Sequence, residues 1–412
     1  MKLTARSGSL VAAALLSASN LASATEMPSA EQMWEIIQQQ QREIEALKAG
    51  QKSNAEKVEA TAEKVEATAE VLESTADAGQ GGHPAAGSRW VENTQVGGYG
   101  EMHYNNLDSK DEIDFHRFVL FFGHQFSDRL RFFSELELEH AESGDGSNGA
   151  VELEQAYIEY DITQNHQARA GLFLVPVGII NPTHEPPTFY GVERNPVEKN
   201  IIPTTWWVGG AGLSGEVAPG WSYDLSIHEG LDTSASSNYT VRKGRQKTSQ
   251  ADANDLASTA RIKWTGAAGI ELAASVQYQQ DMTQSNDPNA GKAWLYEAHA
   301  DIRRGPFGLR ALYAMWDLDG SGPESVGADK QEGFYVEPSY RITQEWGVFA
   351  RYNQWDNQAG DSSFKSEKKQ FNAGVNFWPH PDVVLKADVQ QQDNEGGNKN
   401  DNGFNLGVGY QF

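Results

Sequence analysis

The chain offers few residues for covalent or cofactor chemistry. Gly210, Gly212 and Gly215 stand in the spacing G-x-G-x-x-G, which cradles a dinucleotide pyrophosphate when it joins a strand to a helix. Here the glycines lie inside an alternating, strand-like stretch, and Val217-Ala218-Pro219-Gly220 follows. No helix N-terminus is left to hold a phosphate, so the spacing is read as chance. The ten histidines are scattered and none falls in H-E-x-x-H, so no metal site is expected. There is no cysteine, which removes thiolate ligands, thiol nucleophiles and disulfides. The sequence holds no G-x-S-x-G elbow, the turn that exposes a nucleophilic serine. A hydrolase would have to rest on Ser134, or on Ser275 with His299, without supporting motifs. No cofactor is expected, and the chain is not read as an enzyme.

What remains is charge arranged for handling ions. Arg129, Arg131, Arg169, Arg261, Lys263, Arg303, Arg310, Arg341 and Arg351 fall at or near the polar positions of alternating segments. The Pro- and aromatic-rich stretch 175–206 carries His184, Glu185, Glu193, Arg194, Glu198 and Lys199. A long loop that is both stiff and apolar is poorly suited to lying in water. Folded into a lumen, its acids would face wall cations and set a transverse field. Packing on a rim or at a subunit interface is the competing reading.

These charges need strands to position them. From residue 94 the apolar residues recur with a period of two, clearest at Phe404, Leu406, Val408, Tyr410 and Phe412. Successive strand side chains face opposite ways, so each segment has one apolar and one polar face. The connections alternate short and long, and aromatics mark both ends, with Trp221, Trp264, Phe307 and Trp346 at the short turns and Tyr278, Trp294, Phe334 and Tyr352 at the long loops. Short turns on one side, long loops on the other and two aromatic girdles are the marks of a transmembrane barrel. The fold class expected is all-β, a transmembrane antiparallel β-barrel of about sixteen strands over 94–412, a size that leaves an aqueous channel. Phe412 ends the closing strand and is the expected assembly signal.

Ahead of the barrel, residues 1–24 have a signal peptide's form: Lys2 and Arg6, an apolar core, then Ala22-Ser23-Ala24. Residues 25–76 are expected to form a coiled coil in the periplasm. Their a positions are Ala30, Ile37, Ile44, Gln51, Val58, Val65 and Leu72, and the heptad EKVEATA is written twice, at 56–62 and 63–69. Residues 77–93 have a Gly-rich linker's composition. The net charge of -24 argues against nucleic acid, which needs a basic face.

Several segments carry a resemblance: the opening strand GYGEMHY (98–104), FSELELEHA (133–141), EQAYIEYDI (154–162) and RAGLFLVPVGIINPTHEPPTFYGVERNPVEKNIIPTTWW (169–207). Together they resemble the phosphate-selective porin O/P family. The resemblance implies a sixteen-stranded outer-membrane channel, a homotrimer, for the passive diffusion of small hydrophilic solutes or ions. Outer-membrane lipid and the barrel-assembly machinery are the expected partners, with peptidoglycan a candidate. Members that bind phosphate line the pore with many Arg and Lys. In this chain the 175–206 loop holds Arg194 and Lys199 against three Glu, so anions such as phosphate stay one solute class among several. The alternative is a structural role, with the barrel an anchor and the coiled coil a tether to the cell wall.

Overall fold

The computed structural model describes residues 93–143, 148–397 and 400–412. The expectations for 1–24, 25–76 and all but the last residue of 77–93 lie outside them.

Sixteen antiparallel strands close into one barrel. They are β1 (Thr94–Leu107), β2 (Lys110–Ser127), β3 (Leu130–Glu139), β4 (Ala150–Asp161), β5 (His166–Leu174), β6 (Trp207–Ala218), β7 (Trp221–His228) and β8 (Ala257–Ala267). There follow β9 (Ile270–Gln279), β10 (Ala293–Arg304), β11 (Phe307–Leu318), β12 (Lys330–Arg341), β13 (Trp346–Asp356), β14 (Lys368–His380), β15 (Val383–Asn394) and β16 (Gly403–Gln411). Each pairs with its sequence neighbours, and β1 pairs β16 to leave no free edge. At that seam Gly98 N–H donates to Phe412 O at 3.0 Å and Phe412 N–H to Gly98 O at 2.9 Å, so the last residue is part of the closure.

Polarity is inside out relative to a water-soluble barrel. Outward side chains such as Leu213, Leu225, Ile227, Leu272, Leu385, Val389 and Leu406 are exposed, whereas inward Glu297, Arg310, Asn353, Lys386, Asp388 and Asn405 are buried. Only a surrounding hydrocarbon phase makes the first set favourable. Both girdles are present: Trp221 lies 6.5 Å from Trp264 and Trp346 4.3 Å from Phe377 at the short-turn end, and Tyr278 4.5 Å from Trp294 at the other. Two-residue turns close the short end at Pro219-Gly220 and Gly305-Pro306, where Gly220 (φ 77°) and Gly305 (φ 57°) take a backbone shape other residues resist.

The buried apolar cluster sits inside the barrel. It joins residues of the loop between β5 and β6 (L3), including Val177, Val197, Ile201, Ile202 and Trp206, to inward Leu295, Leu312, Trp316, Tyr335 and Trp355 of β10–β13. Leu231, Tyr239 and Val241, from the loop between β7 and β8 (L4), belong to the same cluster.

Candidate functional site

L3 crosses the lumen. It leaves β5 at Leu174 and reaches the far wall at several points. Val192 N–H donates to Asp388 (2.8 Å), Asn376 donates to Phe189 O (3.2 Å), and Trp378 Nε1 donates to Pro187 O (3.4 Å). Lys386 Nζ stands 3.6 Å over the Phe189 ring. Within L3, a single helical turn, α1 (Val197–Asn200), carries Glu198 at its buried face. One Glu198 oxygen accepts from Ile179 N–H (2.8 Å) and Ile180 N–H (2.6 Å), the other from Tyr335 (2.8 Å) and Asn195 (3.3 Å). Trp316 Nε1 donates to Ile201 O at 2.9 Å. The loop is thus bonded internally and pinned to β11 and β12.

Two chambers flank this strap. The larger, about 500 Å³, lies toward the short-turn end and is lined by Arg261, Lys263, Asp301, Arg310, Glu337 and Arg341 among others. The narrower, about 180 Å³, lies against β1–β4. Its wall supplies Glu101, Glu137, Glu139, Glu152 and Glu154. Its loop side supplies Glu193, Arg194 and Lys199 from L3 and Arg242, Arg245 and Lys247 from L4. The excess of carboxylates lies on the wall, which also carries Arg117, and the excess of cations on the loops, the reverse of the expected arrangement.

Pairing decides which sign dominates. Most of the carboxylates sit against a base. Glu101 meets Arg117 at 2.8 Å and His103 at 3.1 Å, Glu193 meets His103 at 3.1 Å, Glu137 stands 3.8 Å from Arg117, and Lys247 pairs with Glu152. The loop cations are different. Arg194 donates to Thr205 Oγ1 (2.7 Å), Arg242 to the carbonyls of Lys199 and Thr204 (2.7 Å each), and Arg245 to Thr205 O (2.5 Å). Among the described residues no carboxylate lies within 4.0 Å of any of these three or of Lys199. Nε and Nη2 of Arg194 and Nε of Arg245 are buried without a hydrogen-bond partner. Burial, then Arg245 and Arg194, act against the charge on Arg242 and pull its pKa down to about 9. Carboxylates still act on these cations from farther off, Glu193 on Lys199 and Glu139, Glu152 and Glu154 on Arg245.

The wall cations singled out by sequence are spread along the barrel. Arg129 lies in the β2–β3 turn, donates to the carbonyls of Asp161 and Ile162, and covers the Tyr160 ring at 4.8 Å. Arg131 pairs with Glu159 and Asp161, Arg261 with Asp224, Lys263 with Glu271, and Arg303 with Asp301. Arg169 stacks 4.6 Å over Phe173, and Arg341 3.5 Å over Trp378. Two of them reach the strap. Arg310 bonds Asp301 (3.0 Å) and Thr188 O (3.1 Å), and Arg351 bonds Glu337 (3.1 Å), Tyr190 O (3.4 Å) and Glu193 O (3.3 Å). Arg194 and Lys199 line the narrow chamber with Glu193, whereas Glu198 is enclosed within L3 and Glu185 lies outside that chamber's lining. Sequence reading missed Arg242, Arg245 and Lys247. Their spacing in a long loop gives no sign that L4 turns inward; Val241, buried beside them, is the only local hint.

No metal site was expected from spacing, but the fold brings three potential ligand side chains together. His184 is buried against Glu135 (3.4 Å) and Glu154 (3.5 Å), three residues from separate segments that no spacing motif connects. Burial works against the charge of the His184 imidazole, but these carboxylates outweigh it and raise its pKa to about 10.

Comparison with known proteins agrees with this architecture. The family model for phosphate-selective porin O and P matches residues 96–412. An uncharacterized protein of Aquifex aeolicus (strain VF5) is 33% identical over 348 residues, covering 74% of this chain and 77% of that one. The outer membrane channel DcaP of Acinetobacter baumannii is 18% identical at a TM-score of 0.53, covering 77% of this chain and 97% of its own. The anion-selective porin of Comamonas acidovorans is 11% identical at a TM-score of 0.54, covering 78% and 99%. At such identities the solved structures speak for the fold alone. The family match, the closed barrel, the lipid-suited exterior and the charged lumen together establish that the chain belongs to the phosphate-selective porin O and P family and is a channel of the outer membrane.

Proposed function

We propose that the barrel is a passive diffusion channel for small hydrophilic solutes that favours anions, phosphate among them. The observation that carries this reading is the unpaired quartet Arg194, Lys199, Arg242 and Arg245 on the loop side of the narrow chamber, set against wall carboxylates that mostly have basic partners. In a confined space of lowered dielectric, a unit charge a few ångströms from a permeating ion changes its energy by on the order of 1–4 kcal/mol. Charges on outer loops are screened within about 8 Å at physiological salt. The quartet therefore outweighs the chain's overall acidity in deciding which ions pass.

A homotrimer is part of this proposal. OmpT of Vibrio cholerae, a structural neighbour at a TM-score of 0.52, is described in a trimer form. The periplasmic coiled coil remains a proposed addition to the assembly.

The test is the reversal potential of the wild-type channel in a planar bilayer under a KCl gradient. Anion preference supports the reading, and cation preference overturns it. Added inorganic phosphate is expected to reduce chloride current by competing for the quartet.

A further inference from the structure

We propose that Glu135, Glu154 and His184 form a binding site for a divalent transition-metal ion, where L3 passes the β3–β4 wall, with water completing its coordination. Their nearest ligand atoms all lie within 4.8 Å of one another, and the three residues are 1%, 1% and 3% exposed.

Hydrogen bonding at the periphery fixes which atoms face the centre. His184 Nδ1 lies 3.1 Å from Asn181 O. A carbonyl only accepts, so Nδ1 carries a proton and Nε2 points at the carboxylates, where a metal ion would displace the second ring proton. This is how a metal-bound imidazole is usually held. Glu135 is oriented in the same way, one oxygen accepting from Gln155 Nε2 at 2.6 Å. Glu154 Oε2 and His184 Nε2 are left buried with no hydrogen-bond partner. Among the described residues neither glutamate has an Arg or Lys within 4.0 Å, because Arg117 is engaged by Glu101 and Glu137.

The separations leave room for an ion between the three groups. A proton shared between an imidazole and a carboxylate draws them to about 2.7–2.9 Å. Here Nε2 stands 3.4 Å from Glu135 and 3.5 Å from Glu154. Zinc bonds of about 2.0–2.2 Å to N and O place two tetrahedral ligands roughly 3.3–3.6 Å apart. One imidazole and two carboxylates suit zinc and its first-row neighbours.

The backbone is also built toward this point. The β3–β4 ladder pairs Glu135 with Gln155 and then Leu136 with Leu153, leaving Glu154 as an extra residue. Such a bulge breaks the alternation, so Glu154 and Gln155 both turn toward Glu135. Glu154 also lines the narrow chamber, which gives an ion a route from the lumen. A bound ion would tie L3 to two wall strands.

The experiment uses protein purified from outer membranes, stripped with EDTA and titrated calorimetrically with Zn2+. One ion per chain is expected, with X-ray absorption showing one imidazole nitrogen and otherwise oxygen ligands. Glu135→Gln and Glu154→Gln should each weaken binding at least about tenfold. His140→Ala, in the separate Asp114, His116 and His140 group, should leave it unchanged. Absence of binding in the wild type, a first shell without imidazole, undiminished affinity in both glutamine variants, or loss of binding in His140→Ala would each overturn the proposal. The wild-type spectrum decides the matter even where a variant does not fold. None of these readouts depends on ion selectivity.

Discussion

The inner wall has two unlike halves. Along β1–β4 it is charged and faces the narrow chamber, and along β10–β13 it holds, beside charged residues, an apolar patch that carries the strap. On the first half Glu101, Arg117 and Glu137 meet one another and the passage. On the second, Leu312, Trp316, Tyr335 and Trp355 are covered by L3 and L4. The apolar patch sets where the loops lie, and the loops then add their cations to the passage. On the proposed function, selectivity would depend on a hydrophobic dock several strands away from the ions.

The largest effect is expected from breaking that dock. Trp316 is fully buried, donates to Ile201 O, and lies 6.1 Å from the Trp206 ring. Trp316→Ala should cost about 3–5 kcal/mol through the cavity it leaves, and should release L3. Single-channel conductance should rise and ion preference weaken together. An unchanged conductance in a folded variant would show that the strap is held without the dock.

A smaller effect is expected from Glu198→Gln. Both of its oxygens accept hydrogen bonds, so a glutamine amide must turn its N–H2 toward donors. The loss should be roughly 1–3 kcal/mol, read by thermal melting, with little change in reversal potential. A pure selectivity shift without destabilisation would put Glu198 in the passage and contradict the internal bonding of L3.

The smallest effect concerns pH. Arg242 has its pKa depressed to about 9 by burial and by Arg245 and Arg194. A base with a lowered pKa is fully charged below that value and loses charge as pH rises through it. Anion preference should therefore be flat through neutral pH and decline near pH 9. In Arg242→Gln the decline should disappear, and an identical decline in that variant would assign it to another group.

How far the sequence reveals this arrangement follows from the range of the interactions involved. Strand alternation such as that of Phe404 to Phe412 is local, and side-chain direction follows from backbone geometry, so all sixteen strands were legible. The inward course of L3 was suggested by its prolines and aromatics. The polarity of the field was not legible, because Arg242 and Arg245 reach the chamber only through the packing of Leu231, Tyr239 and Val241 against distant strands. The apolar dock left one trace: at Ala293-Trp294-Leu295-Tyr296 and Ala311 to Trp316, apolar residues occupy both faces of the strand. The Glu135, Glu154 and His184 group was hidden, since a bulge and a loop bring it together.

The central claim is that unpaired loop cations, not the acidic chain as a whole, decide which ions pass. The most direct measurement is the reversal potential of Arg242→Gln/Arg245→Gln beside the wild type, in the same KCl gradient. With each charge worth on the order of 1 kcal/mol or more to a nearby ion, the anion-to-cation permeability ratio should fall about tenfold or more. A ratio unchanged in the double variant, with conductance and folding intact, would contradict the account and place the filter elsewhere on the wall.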